Sequence, residues 1–256
     1  MENQLYFTTG VGQRKPNTIN GRNIDCPFCK VEELDDIIAV QGSMILLKNK
    51  YATLRKTYQT VLIETDLCDS ELSKYSKEHL YRLFRFAIDY WLKLHLNNQF
   101  RSVIMFKNHG PLSGGTISHP HLQIVGLEDV NYLLNYKREH FEGIVIKKCD
   151  FLEFNISTQP KIGFYEFNIR LSNLKVIDSM SDCIQIAIDY ILNHFRYKCD
   201  SYNLFFYKIE NEIYCKIIPR FVTSPLYIGY SIAQVADNIE DIANQIVNIY
   251  RKDLHN

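Results

Sequence analysis

Apolar side chains recur along this chain in two rhythms. Leu80, Phe84, Ala87, Ile88 and Trp91 fall on one helical stripe, and Ser76 ahead of them is suited to cap the helix expected over 77–96. Ile184, Ala187, Ile188, Ile191 and Phe195 repeat the stripe, which predicts a second helix over 180–195. A last helix is expected to start near Asp237, with Glu240 placed for a capping box and Ile239, Ile242, Ile246 and Ile249 turned to the core. Short apolar runs bounded by turn formers predict strands at MILLKN, TVLIET, SVIMF, HLQIVG, FLEFNIS, FYEFNIRLS, NLFFYKI, EIYCKII and LYIGYSI. The charged stretch from 128 to about 148 reads as helical. Residues 1–25 are polar and poorly periodic, with an extended or turn segment at QRKPNT, and the acidic run EELDD follows CPFC.

Strands, a helix and then paired strands occur twice in this order. That pattern predicts an α+β fold of two related halves, 1–148 and 149–256. The loop NHGPLSGGTIS joins two apolar strands in the first half, where sites tend to be built. The second half has Tyr214, Cys215 and Lys216 in its corresponding strand pair and no His-Pro-His, so one active site per chain is expected.

Composition narrows the classes. Apolar residues make up 46% and charged residues 23% of the chain, as in a globular protein with a substantial core. Lys plus Arg (29) balances Asp plus Glu (29), which leaves no basic field to argue for nucleic acid. No apolar run reaches membrane-span length, and MENQLYFTTG lacks the features of a signal peptide. A cytoplasmic protein is the expectation. Of seven cysteines, five lie alone in the sequence and read as small apolar residues unless they are ligands. The 17 Tyr and 15 Phe fit core and nucleobase packing.

The chemistry concentrates in His119-Pro120-His121-Leu122-Gln123. On a strand, His119, His121 and Gln123 share one face. Taken alone, two histidines could fall together on a surface strand by chance. The preceding GPLSGGT, including Gly110 and Gly114, offers backbone N–H groups that can approach an anion, and the combination favours phosphate chemistry. Cys26 and Cys29 in CPFC have zinc-ligand spacing; a redox pair and an unliganded pair are the alternatives. A closed zinc site needs two further ligands, for which His119 and Cys68 are candidates, with His109, His79 and Cys149 left open.

The stretch FKNHGPLSGGTISHPHLQ, together with CPFC, resembles the galactose-1-phosphate uridylyltransferases, the transferase branch of the histidine triad (HIT) superfamily. The resemblance covers about residues 14–126, is only architectural beyond them, and points to a shortened bacterial branch. It implies tandem HIT-like halves, each an antiparallel sheet with packed helices, the second degenerate. Carried over by position, His121 matches the nucleophile and Gln123 the amide that bonds the phosphoryl oxygen. Cys26, Cys29 and His119 match zinc ligands, and Cys68 takes the place of the family's remaining histidine ligand. Asn108, Gly110 and Thr116 match the phosphate loop, Asn49 and Tyr51 the nucleotide-contacting segment, and Arg14 with Lys15 a basic pair. A lysine of the family's loop is His109 here, and its second metal site and sugar-binding residues have no counterpart in 151–256.

What the resemblance implies is ping-pong nucleotidyl transfer. His121 would take the nucleotidyl group from a nucleoside diphosphate sugar and pass it to a sugar 1-phosphate or phosphate. Zinc would be structural, with no position open to water. The rival readings are a zinc-containing nucleotide-binding regulator without turnover and a HIT-type nucleotide hydrolase. A monomer and a homodimer are both compatible with the sequence.

Overall fold

A computed structural model describes residues 4–19 and 25–255, the side chain of His255 excepted. After a single turn of helix, α1 (Thr9–Gly12), come β1 (Ile37–Gln41), β2 (Met44–Lys48), β3 (Thr57–Ile63), α2 (Lys77–His95), β4 (Ser102–His109) and β5 (His121–Leu127). The chain continues through β6 (Gly143–Cys149), β7 (Leu152–Ser157), β8 (Phe167–Leu171), α3 (Ile177–Asp189), β9 (Tyr202–Ile209) and β10 (Glu212–Pro219), and ends in α4 (Pro225–Tyr230), α5 (Ile239–Ile249) and α6 (Arg251–His255). All ten strands form one sheet in the order β1-β2-β3-β5-β4-β9-β10-β8-β7-β6. Every pairing in it is antiparallel.

The alternation of side chains across the strands sorts the sheet into two faces. Leu46, Leu62, Met105, Leu122, Leu204, Phe206, Ile217 and Phe154 join one buried cluster with the apolar stripes of α2, α3 and α5. Trp91 of α2 is wholly buried in it, and its indole N–H donates to the carbonyl of Val103 at 3.0 Å, as a buried Trp requires. α2 is capped as the sequence suggests, the Ser76 hydroxyl accepting from the N–H of His79. On the opposite face β5 presents His121 and Gln123. No helix among the described residues is long and apolar enough to cross a membrane.

Several segments differ from the sequence expectation. The stretch 128–148 is not a helix. It forms two 3-10 turns, Tyr132–Asn135 and Arg138–Phe141, followed by β6. Phe141 packs edge-on against Tyr207 and Tyr214, and Tyr132 against Tyr207; these aromatics anchor the segment to the sheet. β6 runs across the 148/149 position where the sequence suggested a division. LYIGYSI is the helix α4, because Ser224 caps it and Pro225 starts it, and the left-handed Ser231 ends it. The helix over 180–195 begins earlier, at Ile177, and passes into a π-helical turn, Tyr190–His194. α5 starts at Ile239 without a side-chain cap, and Ile249 is exposed at its end. The edge strands β1 (IIAVQ) and β6 (GIVIKKC) are not among the expected strands; each carries a short apolar run without alternation and is covered little on either face.

Candidate metal centre and adjoining cleft

His119, Pro120 and His121 stand where the loop after β4 enters β5. Pro120 has no N–H to give the ladder, but its carbonyl accepts from the N–H of Glu64 at 3.1 Å, extending the β3–β5 pairing. The His119 side chain is fully buried. Its Nε2–H donates to the carbonyl of Thr65 at 2.8 Å. A carbonyl can only accept, so the lone pair is on Nδ1. Nδ1 lies 3.5 Å from Sγ of both Cys26 and Cys29. Cys68 completes the group, whose ligand atoms all lie within 4.8 Å of one another.

The donor set fits a tetrahedral metal. Zinc–sulfur and zinc–nitrogen bonds of about 2.3 and 2.05 Å at the tetrahedral angle put S and N about 3.5 Å apart. The two S···N separations match that geometry. Burial and the neighbouring thiols push the Cys68 thiol up to about 12, and burial also raises Cys29. Without a cation these sulfurs would stay protonated. The four residues that the sequence proposed as ligands are thus brought together.

Phe28, between the two cysteines of CPFC, links this group to the neighbouring cleft. Its ring meets His119 at 5.9 Å and His121 at 5.4 Å, both edge to face. The cleft holds about 380 Å³ and is lined by Phe28, Leu34, Leu47 and Val61 on its apolar side, with Lys15, Asn49, Tyr51, His121 and Gln123 among its polar groups. His121 donates from Nδ1–H to the carbonyl of His119 at 2.8 Å, so its lone pair is on Nε2. Burial drives its pKa down to about 3 against the opposing effect of that hydrogen bond, and Lys107 and Lys15 lower it further. The ring is neutral at ordinary pH.

Asn49 and Tyr51 reach the cleft through a tight turn in which the Tyr51 N–H donates to Asn49 Oδ1 at 2.9 Å. Lys15 arrives on an N-terminal strap. Thr18 ties that strap to the loop, its N–H donating to the Thr116 carbonyl at 2.7 Å and its Oγ1 accepting from the Ser118 N–H at 2.8 Å. Arg14 turns away, its Nε donating to the Gly10 carbonyl of its own helical turn at 3.1 Å. Of the basic pair, Lys15 and not Arg14 lines the cleft with His121.

The phosphate-loop candidates are divided. Asn108 Oδ1 accepts from Asn203 of β9 at 2.6 Å. Gly110 has φ +82°, and a Cβ there would lie 2.1 Å from the Asp200 carbonyl oxygen, so close approach to β9's flank explains this glycine. Gly114, with φ +81°, faces open space. Thr116 has a buried hydroxyl with no hydrogen-bond partner among the described residues. None of these four lines the cleft itself. Sequence reasoning also passed over the apolar wall of Phe28, Leu34, Leu47 and Val61. Of these, Phe28 alone carried a signal, its place inside CPFC.

Two family profiles, the N-terminal and C-terminal domains of a domain of unknown function, DUF4931, match residues 7–130 and 133–251. A crystal structure of a DUF4931 family protein from Bacillus cereus ATCC 10987 is 49% identical, covers 84% of this chain and 99% of its own, and superposes with a TM-score of 0.77. More distant likenesses share the fold. A uridylyltransferase structure is 13% identical, with 91% and 93% coverage and a TM-score of 0.70. An ADP-glucose phosphorylase from Arabidopsis thaliana with bound ADP-glucose is 16% identical, with 92% and 93% coverage and a TM-score of 0.68. No curated protein matches the chain. The α+β fold expected from the resemblance of FKNHGPLSGGTISHPHLQ is shared with these uridylyltransferase and phosphorylase structures.

Proposed function

The chain belongs to the DUF4931 family, and we propose that it is a nucleotidyltransferase acting on a nucleoside diphosphate sugar through a nucleotidyl-histidine intermediate. One observation carries this reading. His121 commits Nδ1–H to its own backbone and keeps a neutral ring with the Nε2 lone pair, in a cleft shared with Lys15, Gln123, Asn49 and Tyr51. Nε2 attacks the α-phosphorus, the N–P bond forms, and the bond to the sugar phosphate breaks. A sugar 1-phosphate or phosphate then attacks the same phosphorus and frees Nε2. Lys15 and Gln123, which line the cleft with His121, hold the phosphoryl oxygens. The apolar wall of Phe28, Leu34, Leu47 and Val61 receives the base.

Cys26, Cys29, Cys68 and His119 would hold zinc, which with four protein ligands supplies a fixed tie between CPFC and β5 and no open position. That tie keeps Phe28 against the nucleophile's ring.

We read the sheet as two equivalent halves meeting at β4 and β9, because the order of elements repeats and β10 occupies the place of β5. In the second half that place carries Tyr214, Cys215 and Lys216. Lys216 donates to Glu166 at 2.8 Å and to the His140 carbonyl at 2.6 Å. Its ammonium sits 4.8 Å from the centre of the Phe141 ring. The turns of 132–141 fill the space, which supports a single site per chain.

Label exchange tests the reading. Protein incubated with a nucleoside diphosphate sugar and its own labelled sugar 1-phosphate should pass label into the nucleotide sugar with no other acceptor present. A His121→Ala variant should not. Absence of exchange with uridine, adenosine, guanosine and cytidine donors alike would contradict the proposal.

A further inference from the structure

A buried ion pair lies behind the site. Lys107 Nζ donates to Glu64 Oε1 at 2.6 Å, and the two side chains are 1% and 0% exposed. Tyr75 donates its hydroxyl to Glu64 Oε2 at 2.9 Å, so both carboxylate oxygens are engaged. The His79 Nε2–H donates to the Glu64 carbonyl at 2.9 Å. Neither side chain lines the cleft, and Lys107 reaches His121 only through its charge.

The position of the pair is what matters. β5 runs between β3 and β4. Lys107 pairs with Leu122 on the β4 side, and Ile63, next to Glu64, pairs with His121 on the β3 side. Glu64 itself gives its N–H to Pro120, and the next residue, Thr65, receives the His119 ring. The ion pair therefore crosses β5 on the helix-bearing face, from the level of Leu122 to that of Pro120. Directly opposite stand the metal-facing His119 and the cleft-facing His121. Taking both charges out of water gains little stability over an apolar pair of like size. A bidentate carboxylate bonded from two elements does fix geometry, however.

We propose that Glu64, locked by Lys107 and Tyr75, is a positioning residue that holds the His119–Pro120–His121 segment at the distance and angle transfer requires. This rests on the reading of His121 as nucleophile. A displacement near 1 Å at a reacting atom costs on the order of 100-fold in rate, so the clamp acts on kcat more than on KM.

The test compares wild type with the double variant Glu64→Leu/Lys107→Met, which removes both charges together. The expected result is unchanged metal content and nucleotide affinity, with histidine-adduct formation and kcat lowered about 10–100-fold and a melting temperature lowered only as far as the Tyr75 hydroxyl left without Glu64 requires. Faster amide hydrogen exchange over 119–123 should accompany the loss. Wild-type rate together with wild-type exchange would overturn the proposal. If the double variant does not fold, Tyr75→Phe removes one hydrogen bond and should show a smaller loss in the same direction, with a lowered melting temperature because one Glu64 oxygen is left unbonded; a wild-type rate would then overturn it. If wild type forms no adduct with any donor, the nucleotidyl reading fails by itself. Amide exchange over 119–123 then decides the clamp, and unchanged protection rejects it.

Discussion

His119 and His121 stand two residues apart and use opposite ring nitrogens. His119 gives Nε2–H to Thr65 and turns Nδ1 to the thiols, whereas His121 gives Nδ1–H to the carbonyl of His119 and keeps its lone pair on Nε2. The first choice leaves Nδ1 free to bind a metal and the second leaves Nε2 free for the nucleophilic role proposed above, and each is set by a backbone carbonyl on the other nitrogen. The His119 carbonyl joins the two, so a disturbance at the ligand reaches the nucleophile through one hydrogen bond.

Removing the metal should therefore loosen the cleft. Cys68→Ser or His119→Gln is expected to lower bound metal to well under one equivalent and to reduce melting temperature, since metal binding to such a site is coupled to folding. Elemental analysis beside calorimetry checks this. Full metal occupancy in both variants would contradict the four-ligand assignment.

Lys15 and Arg14 should part in their effects. Lys15 lines the cleft and Arg14 bonds its own helical turn. Lys15→Ala is expected to weaken nucleotide binding by about 1.5–3 kcal/mol, tenfold or more in Kd, as for a charged hydrogen bond. Arg14→Ala should leave Kd nearly unchanged. Titration calorimetry with a nucleoside diphosphate distinguishes them.

Gly110→Ala should act on stability. The left-handed backbone alone costs about 1–3 kcal/mol for a side chain, and the added methyl would collide with the Asp200 backbone oxygen. Urea unfolding should show a loss of at least that size. An unchanged midpoint would mean that the loop can move away from β9.

His95 gives a pH signature separate from the site. It ends α2 with its ring 5.0 Å from Trp91, and burial, helped by Lys208, lowers its pKa to about 4. The unfolded chain takes up this proton near its ordinary pKa of about 6.5. As pH falls from there toward 4 the unfolded state gains and stability drops; below that the contribution is level. His95→Leu should flatten this part of the stability–pH curve, read as the difference between the two proteins. Equal slopes would contradict the burial of a neutral ring.

Much of the site could be read in the sequence because its signals are local. CPFC and His-Pro-His carry ligand spacing within five residues, and the loop before His121 carries its glycines. Cys68 is one candidate among several, with His109, His79 and Cys149 left open, since a lone cysteine has no pattern of its own; the family resemblance singles it out. Lys15 was paired with Arg14 because adjacent residues look alike until a helical turn sends them in different directions. Glu64 and Lys107 are 43 residues apart and meet only when β3 and β4 flank β5. The segment 128–148 carries enough Leu, Tyr and charge to suggest a helix, yet its aromatics are held by Tyr207 and Tyr214 from far along the chain. Edge strands β1 and β6 lack the buried face that would have imposed a period on them.

The most direct measurement of the central claim is intact mass after incubation with nucleoside diphosphate sugars, wild type beside His121→Ala. The account predicts a gain of one nucleoside monophosphate on wild type alone, mapped to His121 and lost on adding sugar 1-phosphate or phosphate. Metal-loaded wild type that binds nucleotide and gains no mass with any donor would contradict it.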